Sequence, residues 1–151
     1  MRGGEIKKLA RMIENIEFGM FTTEGPDGRM HSRPMETSEI DREGHLWFLT
    51  VRHSLKVHEI ESNPEVCVTY ANPAAAHFIS ISGRAEVVDD RQKVHELWSP
   101  GDETWLERGP DHAEVLLIRV DILRAEYWDH FSGKMVTVVT PGDEPELELV
   151  I

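Results

Sequence analysis

Short runs of alternating apolar and polar residues, each stopped by a tight-turn cluster, constrain this chain more than any other feature. Phe18 to Thr23 reads as a strand, and Gly25-Pro26-Asp27-Gly28 closes it. Met30 to Ile40 reads as a second strand, interrupted at Pro34, which has no N–H to give a ladder. Asp41-Arg42-Glu43-Gly44 is the next turn, and His45 to Thr50 is a third strand. Connections this short join antiparallel neighbours, so the region is a meander. Glu65 to Tyr70 is a fourth strand, with Val66 and Val68 alternating against Cys67 and Thr69. His77 to Val88 is a long fifth strand, and Gly83 inside it marks a bulge. Val115 to Val120 is a sixth, Ala125 to Asp129 a seventh, and Val136 to Thr140 adds one more in the tail.

Three helices punctuate this series. Ile6, Leu9, Ile13 and Ile16 make one helical face over residues 5–16. Ser54 is an N-cap before Leu55 to Ile60, and Glu61-Ser62-Asn63-Pro64 ends that helix. Asp90 caps Arg91 to Trp98, which stops at Pro100-Gly101. The expected fold is mainly β: a closed or nearly closed antiparallel barrel of six or seven strands, because closure removes unpaired edges. The 151 residues fit a single domain, 1–151, with 136–151 a peripheral tail that ends on the acidic stretch Glu144-Pro145-Glu146.

Charge and cysteine content narrow the functional classes. With 16 basic and 28 acidic residues the net charge is −12, against the basic face that nucleic acid or an anionic membrane needs. One cysteine, Cys67, rules out an internal disulfide and a cysteine zinc site, and mid-strand it reads as an inert buried thiol. There is no apolar run of about 20 residues for a membrane span and no signal-like start. The expected location is cytoplasmic. Dinucleotide, triphosphate and nucleophile-elbow motifs are missing. His58-Glu59 and His95-Glu96 each open a zinc-protease pattern, but Ser62 and Ser99 stand where its second histidine belongs, so no metal site is expected.

Two neighbouring segments carry chemistry. One is His31-Ser32-Arg33-Pro34-Met35; the other is Trp47-Phe48-Leu49-Thr50 followed by Ser54-Leu55-Lys56. A strand-to-helix junction with Thr50, Ser54 and Lys56 offers hydroxyls, free helix N–H groups and an ammonium, the makings of an anion site. Arg33 adds a planar donor fork suited to a phosphate monoester. Met35, Phe48 and Trp47 supply apolar faces beside it, which suits a phosphorylated aromatic cofactor. The same residues admit a plainer reading. Arg33 can pair with one of the 28 carboxylates, Lys56 can be a solvated helix residue, and Met35 and Phe48 can be core.

The ordered set HSRPM, LWFLT, S-L-K, SISG with the following Asp89-Asp90-Arg91, and EYWD resembles the FMN-binding split-barrel proteins related to pyridoxamine 5'-phosphate oxidase, closest to their general stress protein subgroup. The resemblance runs from about residue 5 to residue 130. It implies a six-stranded antiparallel split β-barrel, usually a homodimer, with FMN (or FAD) at the subunit interface. Arg33, Lys56 and Ser54 match the phosphate-gripping positions; Phe48, Leu49 and Thr50 match the strand beside the flavin, and Pro34 and Met35 the strand that backs the ring. Trp128 matches a tryptophan that reaches the flavin from the partner chain, and Trp98 and Trp105 fall where they can approach a neighbouring site or simply pack. Leu55 stands where the oxidases usually carry a second basic residue, and Asp129-His130-Phe131 replaces their arginine and histidine pair for the pyridoxal substrate. The implied activity is therefore a flavin-dependent oxidoreductase with a small-molecule substrate or nicotinamide donor, not pyridoxamine 5'-phosphate oxidase itself. The alternative is a flavin sensor, carrier or store without turnover, or the same barrel holding a deazaflavin or haem.

Overall fold

The computed structural model describes residues 3–139. Its helices are α1 (Gly3–Ile13), α2 (Leu55–Ser62) and α3 (Arg91–Leu97). Its strands are β1 (Phe18–Glu24), β2 (Met30–Glu36), β3 (Glu39–Ile40), β4 (His45–Val51), β5 (Glu65–Asn72), β6 (His77–Val88), β7 (Val115–Asp129) and β8 (Lys134–Val139). Every ladder is antiparallel, and the order across the sheet is β2-β1-β5-β6-β7-β4-β3, with β8 pairing β7. β2 and β3 are the two ends of this order, yet only Thr37 and Ser38 separate them in the chain. A sheet whose ends are joined by two residues must curl, and the result is a split barrel with flanking helices.

That corner corrects the second predicted strand. Met30 to Ile40 is not continuous: the chain leaves the β1 ladder after Glu36, and Ser38 N–H donates to Trp47 O at 2.8 Å to open the pairing with β4. Pro34 does not interrupt the strand either. The β1–β2 ladder runs through it, Met20 opposite Pro34, because among the described residues β2 is bonded only to β1 and an edge strand has one side where no donor is needed. The sixth and seventh predicted strands are likewise one strand, β7. Asp121 and Arg124, in the gap between them, are outward residues paired two positions along, Arg119 Nε to Asp121 at 2.9 Å and Arg124 Nε to Glu126 at 2.7 Å.

The expected bulge stands at Gly83, where the β6–β7 register shifts. A Cβ there would lie 2.4 Å from Asp121 O, so only glycine fits the crossing. The main core fills the curl with Phe21, Leu46, Phe48, Val68, Ile81, Ile118 and Val120, and α1 adds Leu9, Met12 and Ile13. A second cluster lies outside the sheet, where Val94 of α3, Leu106, Val115 and Leu117 pack with Trp47, Leu49 and Trp98. β7 is therefore covered on both faces at its start. Thr140 and the acidic stretch at 144–146 lie outside the described residues.

Candidate functional site

The β4–α2 junction places its polar groups by helix-start geometry. Ser54 is the N-cap of α2, its Oγ accepting from Val57 N–H at 3.4 Å and lying 3.4 Å from Thr50 Oγ1. Lys56 follows in the first turn. Its side chain lines a cavity of about 250 Å³ together with Phe18, Pro34, Met35, Leu49, Thr50 and Trp105. Among the described residues Lys56 has no hydrogen-bond or ion-pair partner. Burial, reinforced by the Arg33 charge, holds its ammonium below the ordinary lysine value.

Arg33 arrives from β2, beside this ammonium. Two of its donors come from Nη1, to Thr23 Oγ1 at 2.7 Å and Phe21 O at 3.2 Å, and a third from Nη2 to Glu59 Oε1 at 3.3 Å. A guanidinium has five N–H donors, so Nε–H and one Nη2–H remain for a ligand. Glu59 is fully buried and also accepts from His31 Nδ1 at 2.8 Å and Thr23 Oγ1 at 3.1 Å. Burial alone would raise its pKa, but the bonds from His31 and Thr23 and the charges of His31 and Arg33 outweigh that and hold the carboxyl below the ordinary value. Arg33 is itself lowered, burial outweighing Glu59. Arg33 thus has the carboxylate partner that the plainer reading allowed, and still carries spare donors next to an unpaired lysine.

The remaining expected site residues divide sharply. Pro34, Met35, Leu49, Thr50 and Trp105 line the cavity, Trp105 with 65% of its surface exposed and standing edge-on to Phe18 at 6.0 Å. Phe48 does not line it; fully buried, it packs edge-on against Phe21 at 5.1 Å inside the barrel. Leu55 points to a different surface hollow, with Arg52, His53, Ser54, His58 and Glu61. Trp98 packs against the outer cluster. Trp128, near the far end of β7, is not among the residues that line the cavity.

Sequence reasoning missed Thr23 and Glu59 as members of the site, and gave His31, at the head of the first segment, no role of its own. Glu59 entered only as part of a failed zinc motif. The signal that could have found it is a carboxylate between Val57 and Ile60 on the buried side of α2, where an ion needs partners. It also missed two acids at the other end of the cavity. Glu36 is raised by burial and then by the charges of Asp102 and Glu17, while Asp102 accepts from Ser99 N–H at 2.6 Å.

A phosphate monoester attached to a flat apolar group fits these donors: Lys56 lines the cavity with Met35, Leu49 and Trp105, and Arg33, which does not itself line it, lies within electrostatic reach of Lys56 with unused N–H groups. The cavity is smaller than the roughly 300–1,000 Å³ of a typical ligand pocket, so one chain encloses only part of such a molecule. Fold and site together define a split-barrel protein with a cationic corner and an open aromatic wall. The chain belongs to the pyridoxamine 5'-phosphate oxidase-like family, whose profile matches residues 4–141. It is similar to the Neurospora crassa protein bli-3, 27% identical over 133 residues that cover 82% of this chain and 64% of that protein, so it spans less than two thirds of that relative. A solved protein related to general stress protein 26, of the pyridoxinephosphate oxidase family, from Clostridium acetobutylicum shares the fold at 18% identity and a TM-score of 0.77, covering 95% of this chain and 100% of that one. The general stress protein 26 of Bacillus anthracis matches at 23% identity and a TM-score of 0.71, covering 89% and 98%.

Proposed function

We propose that this chain binds FMN, with the phosphate on Arg33 and Lys56 and the ring against Met35, Leu49 and Trp105, and acts as a flavin-dependent oxidoreductase on a small molecule. The observation that carries the reading is Lys56: a half-buried ammonium without a partner among the described residues, beside a guanidinium with donors to spare. Leaving such a cation unpaired is costly unless an anion arrives. When bound, the flavin supplies the redox chemistry. The protein's part is to hold the phosphate, orient the ring and shield one face of it.

The site is completed by a second copy in this reading. Phe18 lines both the cavity and an outer apolar hollow with Met20, Phe78, Ile79 and Met135, so the site runs directly into an exposed apolar face. Trp128, which does not line its own chain's cavity, is the group that the partner would bring. Among the described residues no helix is long and apolar enough to cross a membrane. A cytoplasmic location is part of the proposal.

Titration of the purified protein with FMN and with riboflavin, followed by flavin fluorescence, tests the reading. FMN binding at least tenfold tighter than riboflavin is expected, since only FMN has the phosphate. Equal affinities would remove the phosphate assignment. Reduced nicotinamide consumed with an electron acceptor separates turnover from the carrier alternative, and FAD or a deazaflavin in the same titration tests the choice of flavin.

A further inference from the structure

The flavin-phosphate reading names two cations but leaves unexplained why a fully buried carboxylate sits beside them. Glu59 lowers the positive potential that a phosphate would meet. A buried ion also carries a desolvation cost that only close partners offset. Its value must lie in geometry. Lys56 is on α2 and Arg33 is on β2, an end strand bonded, among the described residues, only to β1. No ladder joins the two elements. Glu59 follows Lys56 by one helical turn and its carboxylate spans the gap, taking Arg33 Nη2 and Thr23 Oγ1 on Oε1 and His31 Nδ1 on Oε2. The β1–β2 turn makes room for it: a Cβ on Gly25 would lie 2.6 Å from Glu59 Oε2.

Thr23 closes the arrangement. Its hydroxyl is nearly inaccessible, donates to Glu59 and accepts from Arg33 Nη1 at 2.7 Å. With Phe21 O, three acceptors fix the plane of the guanidinium and aim the unused Nε–H and Nη2–H. Arg33 thus meets a ligand already oriented and loses little rotamer freedom on binding it.

We propose that Glu59, acting through Thr23, is the positioning group of the phosphate corner: it ties α2 to β2 and sets the Arg33–Lys56 pair for a phosphate monoester without touching the ligand. The proposal rests on the flavin-phosphate reading. Its distinctive consequence is that Glu59→Gln weakens phosphate binding although it removes a repelling charge.

The test measures FMN and riboflavin affinities for the wild type, Thr23→Val and Glu59→Gln. Thr23→Val keeps the shape and changes no charge, so it carries the test if Glu59→Gln fails to fold. Each variant is expected to lose FMN affinity by about three- to tenfold, the size of one ordinary hydrogen bond's net contribution, with riboflavin affinity unchanged. Equal losses for both ligands would make the role structural and overturn the proposal. So would tighter FMN binding in Glu59→Gln, which would make the carboxylate a charge balance only. If the wild type separates FMN from riboflavin and both variants keep its ratio, the positioning role alone falls. If the wild type does not separate them, the phosphate reading falls with it.

Discussion

The two ends of β7 are finished to different degrees. Beside its Leu116 end the chain completes its own chemistry: Arg33, Thr23, Glu59 and His31 are bonded to one another, and Thr50 and Ser54 start a capped helix. At its Trp128 end the hairpin to β8 holds Phe131 out to solvent, with 98% of its surface exposed, while Trp128 is half-buried and Tyr127 buried. One end is a polar corner with a half-open cavity. The other offers an apolar hollow lined by Phe18, Met20, Phe78, Ile79 and Met135. In the proposed reading one chain supplies the phosphate grip, and a second copy, bringing its own Trp128 end, would cover the ring.

Substitutions at either end sharpen the contrast. Arg33→Ala has the largest expected effect: loss of a charge-assisted contact worth about 1.5–3 kcal/mol, so FMN binding falls by roughly 10- to 150-fold. Riboflavin binding should hold, and titration with both ligands checks this. Trp128→Ala is expected to weaken FMN and riboflavin alike, by about tenfold, because stacking on a ring ignores the phosphate. A loss confined to FMN in that variant would break the division between the two ends.

Alkaline pH gives the smallest effect. Burial and Arg33 place the folded pKa of Lys56 below its ordinary 10.5. The ammonium is the form that holds phosphate, so the FMN preference is full below that lowered pKa and fades as pH rises through it. The fade should begin before an ordinary lysine titrates and vanish in Lys56→Ala, as FMN and riboflavin titrations across the alkaline range would show. The link to stability has the opposite sign: the fold disfavours the charged form, and that penalty disappears over the same rise in pH.

Much of the architecture was legible because strands and turns are written locally. Gly83 announced its bulge, and Ser54 and Asp90 announced their helices, accepting from Val57 and Lys93 N–H as caps. What was illegible depended on neighbours far along the chain. Pro34 reads as a break until β2 is known to be an edge. The Thr37–Ser38 corner exists because β2 and β4 lie on different ladders, which no local period reveals. Arg33, Met35, Thr50 and Lys56 were named from side-chain chemistry, and the structure brings Met35, Thr50 and Lys56 to one cavity. Phe48 shows the limit: strand alternation turns it into the barrel core with Leu46, while Leu49 faces the other way. Glu59 escaped because its partners, Thr23 and His31, are 36 and 28 residues away in sequence.

The most direct measurement uses one of each variant. Arg33→Ala and Trp128→Ala chains, co-expressed with different tags and purified on both, give a heterodimer with one doubly damaged site and one built from intact halves. About half of its sites should bind FMN with wild-type affinity, although neither parent homodimer does. A heterodimer whose sites all remain weak, or a chain that stays monomeric with FMN bound, would contradict a site shared between two copies.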